Sequence, residues 1–277
     1  MRAKTCVPFF FIRTYMLTVI KIGGNVVDNP TLRQQFLADF AALPLPKILV
    51  HGGGKIATQV AVKLDVETVM VEGRRVTDAA MLDVVTMVYG GLVNKQLVAQ
   101  LQALDCNALG LTGADGGIIR SKKRTGWNVD YGFVGDIESV NEEQIKRFLE
   151  VGLVPVFAPL TFDPALASML NTNADTQAQA VAVALAKHFE VNLVYCFEKK
   201  GVLTNPEDDT TVIPELYPST YAEHKASGAI YAGMIPKLDN AFKALHDGVK
   251  QVTICHATDL RQAVSEGTAG TRIRLTE

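Results

Sequence analysis

The sequence predicts an α/β fold, a three-layer αβα sandwich built on an open, mostly parallel sheet. Three observations carry that expectation. Short apolar runs alternate with helical periods along the chain. The first run, Leu17, Val19, Ile20 and Ile22, reads as a strand covered on both faces, as parallel sheets require. Two runs end in glycine, where α/β sheets place their ligands.

In chain order, the strand that begins after Met16 is followed by apolar runs at Lys47 to His51, Asn107 to Thr112, Leu153 to Pro159, Val191 to Phe197 and Gln251 to His256. Helical periods lie between them, at Pro30 to Leu43, at Asp78 to Leu104 with a Gly90-Gly91 interruption, at Asn141 to Val151, at Ala174 to Phe189 and at Pro236 to Asp247. Hairpins with Gly, Asn and Asp at their turns are expected around Val69 to Val76 and Ile118 to Val134. The stretch Ala158 to Asn173 reads as a loop and is where two lobes divide. The expected organisation is 1–15 as leader or N-terminal arm, 16–165 as the N-terminal lobe and 166–277 as the C-terminal lobe. In the leader, "CVPFFFI" is apolar but too short to span a bilayer and lacks a cleavage site, so it is either an arm used in subunit contacts or a stretch upstream of a true start at Met16.

A chain of 277 residues can bury a large core without staples. Its charged fraction of 20% and net charge of −2 give no basic excess for nucleic acid or acidic membrane, so neither is an expected partner. The four cysteines lack C-x-x-C spacing and read as reduced core thiols, which points to the cytoplasm.

Polar residues at the ends of apolar segments carry the functional signal. Lys21 interrupts the first strand where an apolar residue belongs. Gly23-Gly24 closes that strand, and His51-Gly52-Gly53-Gly54 closes the second and opens a helix near Lys55. Glycines at a helix start let backbone N–H groups approach an anion, although either loop alone could be a tight turn. Neither is a P-loop, since Leu49 stands where the first glycine would be and Ile56 follows Lys55; G-x-G-x-x-G is also absent. In "MLNTNADTQAQAVAVALA", Asn173 suits a helix cap and Asp175 suits the helix dipole, whereas Asn171 has no such local role. Lys237 follows Pro236 at a helix start, where a cation opposes the dipole and calls for an anionic neighbour. Arg74 and Arg75 sit together in the first hairpin.

Taken in order, "IKIGG", "HGGG", "RRVT", "LNTNAD" and "GMIPK" resemble the acetylglutamate kinases of the amino acid kinase superfamily, over essentially the whole chain after Met16. The resemblance implies a sheet of about eight strands, an N-terminal lobe for an N-acylglutamate, a C-terminal lobe for ATP, and a homodimer. It implies transfer of the ATP γ-phosphoryl group to a side-chain carboxylate, with Mg²⁺ carried in by the nucleotide and no metal ligand from the protein. By the same resemblance Lys21 and Lys237 stabilise the transferring phosphoryl and Asp175 holds them. Gly53, Gly54, Arg75 and Asn171 bind the acylamino acid. Gly23, Gly24, Glu198, Gly201, Leu203, Tyr231 and Met234 line the phosphate and nucleotide site.

Two stretches depart from the family's usual pattern. "FEKKGVL" replaces an Asp-Val-Pro-Gly-like run, and "IYAGM" replaces a Thr-Gly-Gly-like one. The alternatives are a kinase of the same fold acting on glutamate, aspartate or carbamate, and a silent amino-acid-sensing regulator. Retention of Lys21, Asp175 and Lys237 together weighs against the regulator.

Overall fold

The computed structural model describes residues 16–71, 73–126, 128–205, 207–230 and 234–276. The leader 1–15 lies outside them. The N-terminal half comprises β1 (Met16–Ile22), α1 (Gly24–Asp28), α2 (Pro30–Ala42), β2 (Lys47–His51), α3 (Gly54–Lys63), the hairpin β3 (Met70–Val71) and β4 (Arg74–Arg75), α4 (Ala79–Val85), a π-helical stretch Thr86–Val93, α5 (Asn94–Gln102), β5 (Ala108–Leu111), β6 (Ile119–Lys123), β7 (Gly135–Val140), α6 (Glu142–Glu150), β8 (Val154–Phe157), β9 (Leu160–Asp163) and β10 (Ser168–Asn171). There follow α7 (Ala174–Leu185), β11 (Glu190–Phe197), β12 (Glu215–Leu216), α8 (Pro218–Ser227), α9 (Ile235–His246), β13 (Gln251–His256) and β14 (Thr271–Ile273).

The main sheet has eight strands in the order β12-β14-β13-β11-β1-β2-β8-β5. Its pairings are parallel except β13 with β14. Alternate side chains of β1 serve two cores. Ile20 and Ile22 join Phe36, Phe40, Ala57 and Leu97 on one face, and Leu17 and Val19 join Val181, Leu185, Leu238 and Leu245 on the other. Sheet order places the first half's strands on one side of the β1/β11 junction and the second half's on the other, so the crevice at their C-terminal ends is a topological switch point.

The expected loop at Ala158 to Asn173 is a correction: it is the hairpin β9/β10, paired antiparallel from Leu160–Asn171 to Asp163–Ser168. Its turn is tied by the Asp163 carboxylate, whose Oδ1 accepts from the N–H groups of Ala165 and Leu166. The hairpin belongs to a second sheet of order β10-β9-β6-β7, and the lobe boundary expected at 165/166 falls inside its turn. The hairpin expected at Ile118 to Val134 is longer than its bounds, because β6 pairs with β7, which starts at Gly135.

Candidate active site

Strand parity explains how β1 carries Lys21 among apolar residues. The lysine shares a face with Leu17 and Val19, the face covered by α7, and it is buried. At the start of α7 the Asn173 Oδ1 accepts from the N–H groups of Asp175 (2.9 Å) and Thr176 (3.0 Å), so the cap fixes Asp175 as the second residue of the helix. There the Asp175 carboxylate meets the Lys21 ammonium, Oδ1 to Nζ, at 2.8 Å.

Lys237, in the first turn of α9, approaches from the other half of the sheet. Its Nζ lies 3.9 Å from the centroid of the Phe197 ring, and Lys21 Nζ lies 5.4 Å from the same ring. Phe197 is the last residue of β11, next to β1. Burial holds the Lys237 ammonium below the ordinary lysine range; Asp175 and Glu198 pull it up and Lys21 pushes it down. Two cations and one carboxylate thus converge at the C-terminal edge of the sheet, with a net positive charge aimed at the crevice.

The two glycine loops interlock beside them. Gly52 N–H donates to the Ile22 carbonyl (3.0 Å), and a Cβ on Gly52 would stand 3.2 Å from the Gly24 nitrogen. A Cβ on Gly24 would lie 3.7 and 3.9 Å from the nitrogens of Gly54 and Gly53. The loops are therefore glycine because two backbones share one space. Beneath them His51 is fully buried and neutral, its imidazole pushed down to about 4 by desolvation. Its Nδ1–H donates to the Gly52 carbonyl (2.7 Å) and its Nε2 accepts from Asn94 Nδ2 (3.2 Å).

Of the paired arginines, Arg74 is exposed and Arg75 buried. Arg75 Nη2 donates to the Gly54 carbonyl (2.9 Å) and Thr58 Oγ1 (2.8 Å), while Nη1 makes longer contacts to Thr68 Oγ1 (3.3 Å) and Met81 Sδ (3.7 Å). One edge of the guanidinium braces the glycine loop, and the outer edge makes only the longer contacts. Asn171, which lacked a local role in the sequence, donates from Nδ2 to Thr77 Oγ1 (3.0 Å) and so ties β10 to the segment after the arginines.

A cleft of about 640 Å³ is lined by Gly23, Gly24, Gly54, Lys55, Arg75, Phe197, Glu198, Gly201, Met234 and Lys237. It continues through a space of about 150 Å³ at Asp175, Tyr195, Phe197 and Lys237. A pocket of about 230 Å³ then follows at Gly52 to Gly54, Arg74, Arg75, Tyr89, Arg124 and Asn171 to Ala174. One residue expected there is not brought to the wall. Leu203 is buried and forms a bridge with Val212, because Gly201 packs against Thr271 and turns the chain inward. Tyr231 lies outside the described residues.

The sequence did not single out Tyr89 and Arg124, which line the 230 Å³ pocket, or Asp28 beside Gly24. Tyr89 was hidden by the helical period around it, although the adjoining Gly90-Gly91 was a signal. Arg124 sits in a basic hairpin run and pairs with Asp136. Asp28, at the end of α1, has both carboxylate oxygens buried without a hydrogen-bond partner, and burial raises its carboxyl while Lys55 and Arg33 pull it down. Cys106, Cys196 and Cys255 are buried free thiols, as expected of core residues; contact with Cys255 and burial push the Cys196 thiol up. Among the described residues, no group of three or more His, Cys, Asp or Glu could hold a metal, and no helix is long and apolar enough to cross a membrane.

The profile of the amino acid kinase family matches residues 16–256. An acetylglutamate kinase of Phocaeicola vulgatus is 55% identical over 258 residues, covering 93% of this chain and 98% of the relative. One of Cytophaga hutchinsonii is 54% identical over 259 residues, with the same coverage. A solved structure from Streptococcus mutans UA159 superposes with a TM-score of 0.70 at 28% identity, covering 94% of this chain and 99% of that one.

Proposed function

The chain belongs to the amino acid kinase family, and from that premise we propose that it transfers the γ-phosphoryl group of ATP to the side-chain carboxylate of an N-acyl-L-glutamate, the acetylglutamate kinase reaction of arginine biosynthesis. A carboxylate oxygen attacks the γ-phosphorus, the bond to the bridging oxygen breaks, ADP departs and an acyl phosphate remains. The observation that carries this reading is the Lys21–Asp175–Lys237 constellation at the Phe197 ring, joined to two interlocked glycine loops.

Both reactants are anions, and phosphoryl transfer needs charge neutralisation and alignment more than covalent help. Lys21 and Lys237 neutralise charge on the moving phosphoryl, and Asp175 keeps the two ammonium groups oriented. Gly23, Gly24, Gly53 and Gly54 offer backbone N–H groups to phosphoryl and acceptor oxygens. Arg75 holds the α-carboxylate of the acylamino acid from its outer edge, and Asn171 holds the segment around the α-carbon. Glu198, Gly201 and Met234 form the nucleotide side. The donor set of the cleft, two lysines with glycine amides, suits a triphosphate, and Mg²⁺ carried on ATP would supply further charge neutralisation at its phosphates. In this reading 16–165 holds the acylamino acid and supplies the contacts of a homodimer, 166–277 holds ATP, and the enzyme works in the cytoplasm.

Incubation with ATP, Mg²⁺, N-acetyl-L-glutamate and hydroxylamine traps an acyl phosphate as the hydroxamate. The expected outcome is hydroxamate from the wild type and a kcat lowered by ~10²-fold or more in Lys21→Ala. No hydroxamate from N-acetylglutamate, with product from free glutamate, aspartate or carbamate instead, would reassign the acceptor.

A further inference from the structure

His51, the last residue of β2, is a fully buried titratable group that the phosphoryl-transfer scheme leaves without a task. Both of its ring nitrogens are bonded, and the bonds fix its tautomer. The Gly52 carbonyl can only accept and the Asn94 Nδ2 can only donate, so Nδ1 carries the proton and Nε2 is bare. Asn94 opens α5 and is itself buried. Its Nδ2 also donates to the Val156 carbonyl (2.9 Å), and its Oδ1 accepts from Lys95 Nζ (3.1 Å). A Cβ on Gly110 of β5 would overlap that Oδ1, so glycine there leaves room for the amide. Every polar atom of the pair is satisfied, and the imidazole cannot turn without breaking the network.

The proton matters because of the peptide it holds. The Gly52 carbonyl points inward to Nδ1 at 2.7 Å, and the Gly52 N–H is taken by the Ile22 carbonyl at 3.0 Å. In a trans peptide the carbonyl and the next N–H point in opposite directions. An inward Gly52 carbonyl therefore turns the Gly53 N–H outward, on the loop that lines the 230 Å³ pocket. Among the described residues, no backbone carbonyl accepts from that N–H. With glycine on both sides, the Gly52–Gly53 peptide has no side chain to stop its plane from turning over. An inverted plane would present an acceptor to an anion where a donor is needed. We infer that His51 is a positioning residue for phosphoryl transfer: its Nδ1–H, kept in place by Asn94, locks the Gly52–Gly53 peptide so that the Gly53 N–H faces the oxygen on which charge builds. The inference rests on the kinase reading above.

The test has a spectroscopic arm and a kinetic arm. In the wild type, ¹⁵N NMR of the His51 ring near neutral pH should show a protonated Nδ1 and a bare Nε2, since burial keeps the ring neutral there. A proton on Nε2 would leave the Gly52 carbonyl without its donor and overturn the inference, whether or not any variant folds. For kinetics, His51→Leu fills much of the space and removes the donor, whereas His51→Asn keeps an amide N–H at the reach of Nδ1 and loses the Asn94 contact. With ATP, Mg²⁺ and N-acetyl-L-glutamate, well below both melting temperatures, His51→Leu should lower kcat by ~10-fold or more while both KM values stay within about threefold. His51→Asn should return kcat to within about fivefold of wild type. Equal kcat in the two folded variants, or a loss confined to KM, would reduce His51 to a packing residue and overturn its role. Wild-type turnover of N-acetylglutamate tests the kinase reading by itself, so the two readings fail separately.

Discussion

Replacing Asp175 by Asn removes one charge from the centre of the constellation and little else. The helix start survives, because the cap uses the N–H of residue 175 and the side chain of Asn173. The loss of a favourable charge at the helix N-terminus should lower stability by about 0.3–1 kcal/mol. The kinetic effect should be larger. Both ammonium groups face the Phe197 ring, at 5.4 and 3.9 Å, so they stand within about 9 Å of each other, where two unit charges at an effective dielectric near 20 repel by about 2 kcal/mol. With Asp175 gone that repulsion is uncompensated, and ~2 kcal/mol at the transition state corresponds to about 30-fold in rate. The phosphates of bound ATP offset part of it. The expected fall in kcat is therefore ~10- to 30-fold, with both KM values less affected. Steady-state kinetics and thermal unfolding on one preparation decide the matter. A variant with kcat within about twofold of wild type and a slightly lower melting point would reduce Asp175 to a helix-dipole residue and refute the organising role.

Three further outcomes follow from the geometry. Because burial holds Lys237 below the ordinary lysine range and Asp175 is the strongest influence restoring it, kcat/KM for ATP should fall on the alkaline side before a free lysine would titrate, and Asp175→Asn should move that limb to still lower pH; a limb unmoved by the substitution would separate the two residues. Arg75→Lys should raise KM for N-acetylglutamate by about tenfold and leave KM for ATP nearly unchanged, since a lysine cannot both brace Gly54 and grip a carboxylate; a comparable effect from exposed Arg74→Lys would place the clamp one residue earlier. The Asp28 carboxyl, raised by burial, binds its proton more tightly in the folded chain than in the unfolded one, so its contribution favours the fold in acid and declines as pH rises through the folded value. Asp28→Asn should accordingly raise the melting temperature at about pH 8 more than at about pH 4, and a lower melting temperature at the higher pH would show that the charged carboxylate is stabilising.

The sheet was legible because fully covered strands leave apolar runs that nothing else in the chain imitates: Lys47 to His51 and Gln251 to His256 match β2 and β13 end to end. Lys21 and Lys237 stood out for the opposite reason, being charges where burial or the dipole disfavours them, whereas Asp175 suits the dipole and was singled out only by the family resemblance. The β9/β10 hairpin was not. Its strands have four residues each and pair within a small second sheet, so their stability comes from partners distant in sequence, and the Pro, Asn and Thr around them read as loop. The π-helical stretch was read only as an interruption, since Gly90-Gly91 signals a departure from α geometry without saying which one. Residue patterning alone does not separate Arg75 from Arg74, and it was the resemblance that named Arg75; the two-residue strand β4 turns Arg75 inward and leaves Arg74 exposed.

The parity of β1 has a consequence for how this chain can tolerate insertion and deletion. Lys21 pairs with Tyr195 on one side and Val50 on the other, in a ladder that runs the length of the strand. Removing one residue between Met16 and Ile20 would not loosen the lysine by a small distance; if the buried ladder held the remaining strand in place, apolar residues would be exchanged between opposite cores across the sheet. Slippage to accommodate the change would have to displace the neighbouring strands as well. Indels here are therefore all-or-none events, felt at once as lost packing and lost chemistry, whereas the exposed turn at Asp209 and Thr210, between β11 and β12, can change length at little cost.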